Sequence, residues 1–166
     1  KRSDRSGTPP GLTLRPLNPR RTDDEIVYAR VSLKLLRARR VAELTVRAPD
    51  ADPPTSAAGI LRAGDEFWLL RAFRELDDAL LWLRFNEPEI GTIVLRTEGD
   101  PGRVLAADRA IAEHTDAWHI REISHFVKRV LKRLDLTARS FFAFIEPGSC
   151  FAGSLLELAL AAVRAY

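Results

Sequence analysis

The sequence predicts an α/β fold whose later strands are mostly parallel and covered by helices. Three observations carry that expectation. Runs of strand-forming residues alternate with runs of helical period over most of the chain. A hairpin pattern stands only near the beginning, so the strands after it need helical crossovers. The stretch Ser140 to Tyr166 reads as an apolar strand, a tight turn and an apolar helix.

Residues 1–22 are rich in proline and arginine and poor in apolar side chains, which predicts a basic linker that burial cannot order. The domain then runs over residues 23–166. Ile26 to Leu35 and Val41 to Val46 are β-rich runs, and Arg37 to Arg40 is the turn of a hairpin between them. Ala48 to Gly64, with Pro49, Pro53 and Pro54, reads as a loop. From Asp65 to Phe85, Leu69, Phe73, Leu76, Leu80 and Leu83 recur at helical spacing, while Arg71, Arg74, Glu75, Asp77, Asp78 and Arg84 fill the opposite face. Arg74 and Asp78, four apart, form a surface pair in this scheme.

Gly91 to Gly99 is a buried strand closed by an acid-glycine turn, and a helix with Val104, Leu105, Ala107, Ala110 and Ile111 begins near Pro101. The next helix carries Ile120, Ile123, Val127, Val130 and Leu134 in a three-four alternation. Phe141 to Ile145 is the last strand, and Leu155 to Ala165 is helical by its Leu and Ala content. The chain contains no Met and runs out inside that apolar pattern, which predicts a truncated domain with partners elsewhere in a longer protein.

Composition narrows the function. Every apolar run falls short of the roughly 18–20 residues of a membrane span, so a soluble cytoplasmic protein without membrane contact is expected. The net charge of +3, from 26 basic and 23 acidic residues, gives little reason to expect a nucleic-acid partner. His114, His119 and His125 lack any metal-binding spacing, and no metal is expected. The single cysteine, Cys150, excludes an internal disulfide; near a helix start its thiolate would be stabilised, while in a core it would be inert. Glu157 stands one turn into an apolar helix, where a carboxylate must be paired, solvated or used in chemistry. The first N–H groups of that helix could receive negative charge.

The run IEPGSCFAGSLLELALA, Ile145 to Ala161, resembles the strand-turn-helix of the crotonase (enoyl-CoA hydratase) superfamily. Together with FRELDDALLWLRFNEPEIGTIVLRTEGD and VLAADRAIAEHTDAWHIRE it is similar to the second half of the benzoyl-CoA-dihydrodiol lyase family, double-length crotonase relatives of aerobic benzoate degradation. The resemblance implies a crotonase-like ββα spiral, incomplete at the C-terminus. It implies an aromatic acyl-CoA substrate, an epoxidised or dihydroxylated benzoyl-CoA, whose ring is opened with water to release formate and leave a dehydroadipyl-CoA semialdehyde. It implies no cofactor, since the CoA thioester is itself substrate, and a homodimer.

Matched by position, Glu157 stands for the family's Glu, Ser154 for the glycine whose N–H serves the oxyanion hole, and Gly153 for the first glycine of the triplet. Leu155 replaces the third glycine, Val163 replaces an Asp, and TEGDPGRVLAAD stands where the other oxyanion loop belongs. These departures imply that the catalytic constellation lies in the missing half of the polypeptide and that this chain alone has little activity. A noncatalytic scaffold or dimerisation half, using Leu155 and Leu158, is the alternative.

Overall fold

The computed structural model describes residues 11–166. One sheet of seven strands organises them: β1 Arg20–Arg21, β2 Glu25–Val27, β3 Val31–Leu36, β4 Val41–Arg47, β5 Thr92–Glu98, β6 Ser140–Ala143 and β7 Arg164–Ala165. The strands lie in the sheet in the order in which they occur in the chain. Those joined by short turns, β1 to β4, pair antiparallel, and β4 to β7, joined by helices, pair parallel.

The helices are α1 Ala57–Ala63, α2 Trp68–Asn86, α3 Pro101–Ala112, α4 Trp118–Asp135 and α5 Gly153–Leu160. Right-handed crossovers taken always in one direction across a sheet place every connecting helix on the same face. The burial pattern agrees. Val31, Leu33 and Leu35 stand in register with Val46, Leu44 and Ala42, the last two with Leu95 and Ile93, and these with Ala143 and Phe141; all are buried. Against that face α2 buries Leu69, Phe73, Leu76, Leu80 and Leu83, and α4, packed on α2, buries Ile120, Ile123, Val127, Val130 and Leu134. Each such side chain contributes about 1.5–3 kcal/mol by leaving water.

Local chemistry sets the element ends. Arg40, in the left-handed region at φ 55°, closes the hairpin turn and donates its N–H to the Arg37 carbonyl at 2.9 Å. The run Ile26 to Leu35 is two strands, not one: the chain reverses at Tyr28–Arg30, where the Tyr28 N–H donates to the Val31 carbonyl at 2.8 Å. The loop before residue 64 contains α1, whose first turn is capped by the Ser56 hydroxyl accepting the Gly59 N–H at 3.1 Å. The last helix also departs from expectation. It ends at Leu160, because residues 163–166 leave it to bond β6: the Val163 N–H donates to the Phe141 carbonyl and the Tyr166 N–H to that of Ala143, at 2.8 and 2.9 Å.

Part of the expected linker is tied down. Arg20–Arg21 pairs with β2, and the Arg15 guanidinium and N–H both reach Asp65, at 2.6 and 2.8 Å. That bond to Arg15 pulls the Asp65 carboxyl down to about 2. Arg74 also joins Asp65, and its guanidinium donates to the Arg15 carbonyl at 2.7 Å. Asp78 accepts the Tyr28 hydroxyl at 2.6 Å, so the expected Arg74–Asp78 pair is replaced by these longer-range bonds. Residues 1–10 of the linker lie outside the described residues.

Arg139 closes the far end of α2. Its guanidinium donates to the carbonyls of Leu83, Glu87 and Ile90 at 2.9, 2.9 and 2.6 Å, joining the helix end to the strand that follows it. Bonds from a charged donor are worth about 1.5–3 kcal/mol when the acceptors are otherwise left dry. Arg139→Ala is therefore expected to lower stability by about 2–3 kcal/mol in urea, and Arg139→Lys to recover only part of it. A loss below about 0.5 kcal/mol would show that water replaces the guanidinium.

Candidate active site

The corner singled out in the sequence lies between β6 and α5. After β6 the chain turns at Glu146–Ser149, with the Ser149 N–H on the Glu146 carbonyl at 2.9 Å and the Glu146 N–H on the Ser149 hydroxyl at 3.0 Å. Cys150 then enters the core, its N–H donating to the Thr97 hydroxyl at 2.9 Å. Burial pushes its thiol up, away from the reactive thiolate. Helix α5 starts at Gly153, preceded by Ala152, which has no side-chain oxygen to accept the first N–H groups.

Asp108, from α3, performs that task. Its Oδ2 accepts the Ser154 N–H at 2.6 Å. Burial raises the Asp108 pKa, partly opposed by this bond. The approach is close enough to dictate Gly153: a Cβ there would stand 1.9 Å from Asp108 Oδ2, and the backbone sits at φ +48°. Glycine is thus required by both space and conformation.

The corner is therefore not the free oxyanion site expected from Ser154. Its N–H is already paired with a carboxylate of the same chain. The loop after β5 is also satisfied internally, since the Gly99 N–H donates to the Gly148 carbonyl at 3.2 Å. Beyond the ends of β4 and β5, Arg103 pairs with Asp52 at 3.1 Å and Arg30 pairs with Asp50.

The Glu157 side chain is exposed and makes no hydrogen bond among the described residues. It has neither the burial nor the charged partner that sets a catalytic carboxylate apart from a surface one. Leu155 and Leu158 lie in the core, so they cannot serve a dimer interface; Leu156, Leu160 and Val163 are the exposed apolar residues there. His114 and His119 each face a carbonyl through Nε2, those of Thr55 and Ala57, both at 2.9 Å, and His119 is buried rather than on the surface. No group of three potential metal ligands gathers among the described residues, and no described helix is long and apolar enough to cross a membrane. A cavity of about 410 Å³ opens between α2 and α4, walled by Leu12, Leu17, Leu70, Trp118 and Phe126, and shares no residue with the corner.

The residue that sequence reasoning missed is Asp108. Ala152 was the available signal, because a helix start without Ser, Thr, Asp or Asn needs an acceptor from elsewhere. Nothing in the linear order says which acid supplies it.

No family model matches the chain. Over 166 residues it is 46% identical to the benzoyl-CoA-dihydrodiol lyase of Aromatoleum evansii, a match that covers 99% of this chain and 30% of that protein. The chain thus spans about a third of the length of this curated relative. Among solved structures, an enoyl-CoA hydratase from Geobacillus kaustophilus superposes with a TM-score of 0.52 at 14% identity, over 84% of this chain and 46% of that one.

Proposed function

We propose that this chain, which has the crotonase fold and is homologous to one part of a benzoyl-CoA-dihydrodiol lyase, works as a segment of such a lyase. The observation that carries the reading is the 46% identity sustained over 99% of the chain. The longer enzyme is read as a cytoplasmic homodimer that takes an epoxidised or dihydroxylated benzoyl-CoA. It opens the ring with water, releases formate and leaves a dehydroadipyl-CoA semialdehyde.

In this reading the thioester carbonyl becomes an enolate, which needs two preorganised N–H donors, and proton transfers need a carboxylic acid and a carboxylate. Here the candidate donors Ser154 and Gly99 are bonded to Asp108 and Gly148, and Glu157 is solvated. These contacts favour a division of labour in which residues outside this segment hold the thioester, while the segment builds the surrounding framework.

The test is turnover by the longer enzyme containing this segment, read as formate released per acyl-CoA consumed. One equivalent is expected, and consumption without formate would overturn the assignment. Glu157→Gln in the same enzyme is expected to leave kcat/KM within about twofold. A loss in the range of about 10²–10⁴, the usual worth of a general acid or base, would return Glu157 to the chemistry.

A further inference from the structure

The cavity between α2 and α4 has apolar walls and one charged end. Leu12, Leu14 and Leu17, from the segment ahead of β1, line it together with Leu70 of α2 and Trp118 and Phe126 of α4. Its volume of about 410 Å³ falls in the range of small-molecule sites, about 300–1,000 Å³. The wall ahead of β1 is fastened by polar bonds. Arg15 uses its guanidinium and its N–H on Asp65, while its carbonyl accepts from Arg74. One residue thus fixes that wall through three groups, and a wall already ordered lowers the cost of binding.

Five charged residues also line the cavity, and three of them are engaged within the fold. Arg74 is held by Asp65 and the Arg15 carbonyl, Asp77 accepts Arg133 Nε at 2.5 Å, and Asp78 accepts the Tyr28 hydroxyl. Glu122 and Arg129 remain, with no ion pair among the described residues. They stand seven residues apart on α4, about 10 Å along its axis, and so mark different ends of that wall. The Arg129 end borders the apolar surface directly, since its guanidinium lies 5.5 Å from the centroid of the Phe126 ring. Arg129 also lines an adjoining hollow with Glu122, His125, Lys128 and Lys132. Three cations against one acid make this end attractive to an anion.

We infer that the cavity binds an aliphatic monocarboxylate, with its alkyl chain among the leucines, Trp118 and Phe126 and its carboxylate on Arg129. The charge of the end selects the head group: a guanidinium can give a carboxylate two parallel hydrogen bonds, whereas an alkylammonium would meet like charge. The walls select the body, because leucine predominates among them and offers an alkyl chain contact along its length.

Photolabelling of the longer enzyme containing this segment tests the inference, with an octanoate analogue that carries a diazirine on its chain and peptide mapping of the products. Labels are expected on α2 and α4, and octanoate is expected to compete for them. Octylamine is expected to compete at least about tenfold more weakly. So is butanoate, because each buried methylene is worth about fourfold in affinity. Arg129 is exposed, so its replacement leaves the fold intact. Arg129→Gln is expected to weaken labelling at least about fivefold and Arg129→Lys to keep most of it, while Lys34→Gln, at an exposed cation on β3, leaves it unchanged. Labels confined to other parts of the enzyme would overturn the inference. Equal competition by octylamine or by butanoate would also overturn it, as would an Arg129→Gln variant labelled like the parent or a Lys34→Gln variant weakened as much.

Discussion

Replacing Glu75 with alanine is expected to cost the fold about 3–5 kcal/mol, the loss seen when one member of a buried charged network is removed. Glu75 is fully buried in the middle of α2, and both of its oxygens are in use. Oε2 accepts the N–H groups of Arg30 and Val31 at 2.6 and 3.0 Å, and Oε1 accepts Arg71 Nε at 2.6 Å. The two N–H groups belong to the reversal between β2 and β3, which carries no glycine, asparagine or proline to hold it. Alanine would leave the Val31 N–H dry and unpaired and the Arg71 guanidinium with exposed Glu66, at 3.2 Å, as its remaining acidic partner. Glu75→Gln keeps an acceptor for the turn and is expected to cost about half as much. Urea unfolding of the three proteins decides the matter, and an alanine variant within about 1 kcal/mol of the parent would refute the assigned role.

Gly153→Ala is expected to be nearly as damaging, at about 3 kcal/mol. The left-handed backbone costs a residue with a Cβ about 1–2 kcal/mol, and the added methyl also displaces Asp108 from the start of α5. The two parts can be separated by a double-mutant cycle with Asp108→Ala, which removes the clash and leaves the backbone strain. Non-additivity of about 1 kcal/mol or more is expected, and strict additivity would mean that the carboxylate is not what the methyl meets. The charge has its own signature. Because the Asp108 pKa is raised in the folded chain, the native state holds that proton more tightly than the unfolded chain does. Its contribution to stability is therefore largest at low pH and declines as pH rises from about 4, the ordinary Asp value. Asp108→Asn keeps an acceptor for Ser154 and removes the titration, so the stability of the parent minus that of this variant should fall over that window. A flat difference would show that the carboxyl is not penalised by its burial.

These two sites also show where sequence reading stops. The apolar stripes of α2 and α4 were legible because a core on one side imposes its period on the side chains. The hairpin of β3 and β4 and the strand β5 were legible from their β-branched runs. Glu75 was not, since periodicity placed it with Arg71 and Arg74 on the polar face; its partners come from a turn 45 residues earlier. The end of α5 was hidden for a related reason. Leu and Ala continue past Leu160 without a stop signal, and pairing with β6 overrides their helical preference. At the corner, the sequence located the turn and the helix start correctly. It could not reveal that a carboxylate from α3 accepts the Ser154 N–H at that helix start.

The strictly sequential order of the seven strands bears on biosynthesis. Each strand finds its neighbour already made when it emerges, because none has to wait for a segment synthesised later. At about 5–20 residues per second, the sheet can therefore be assembled strand by strand on the ribosome, beginning with the β1–β4 meander. The newest strand is always an open edge. Between the appearance of one strand and the next, that edge is the nascent protein's point of exposure to aggregation and to chaperones.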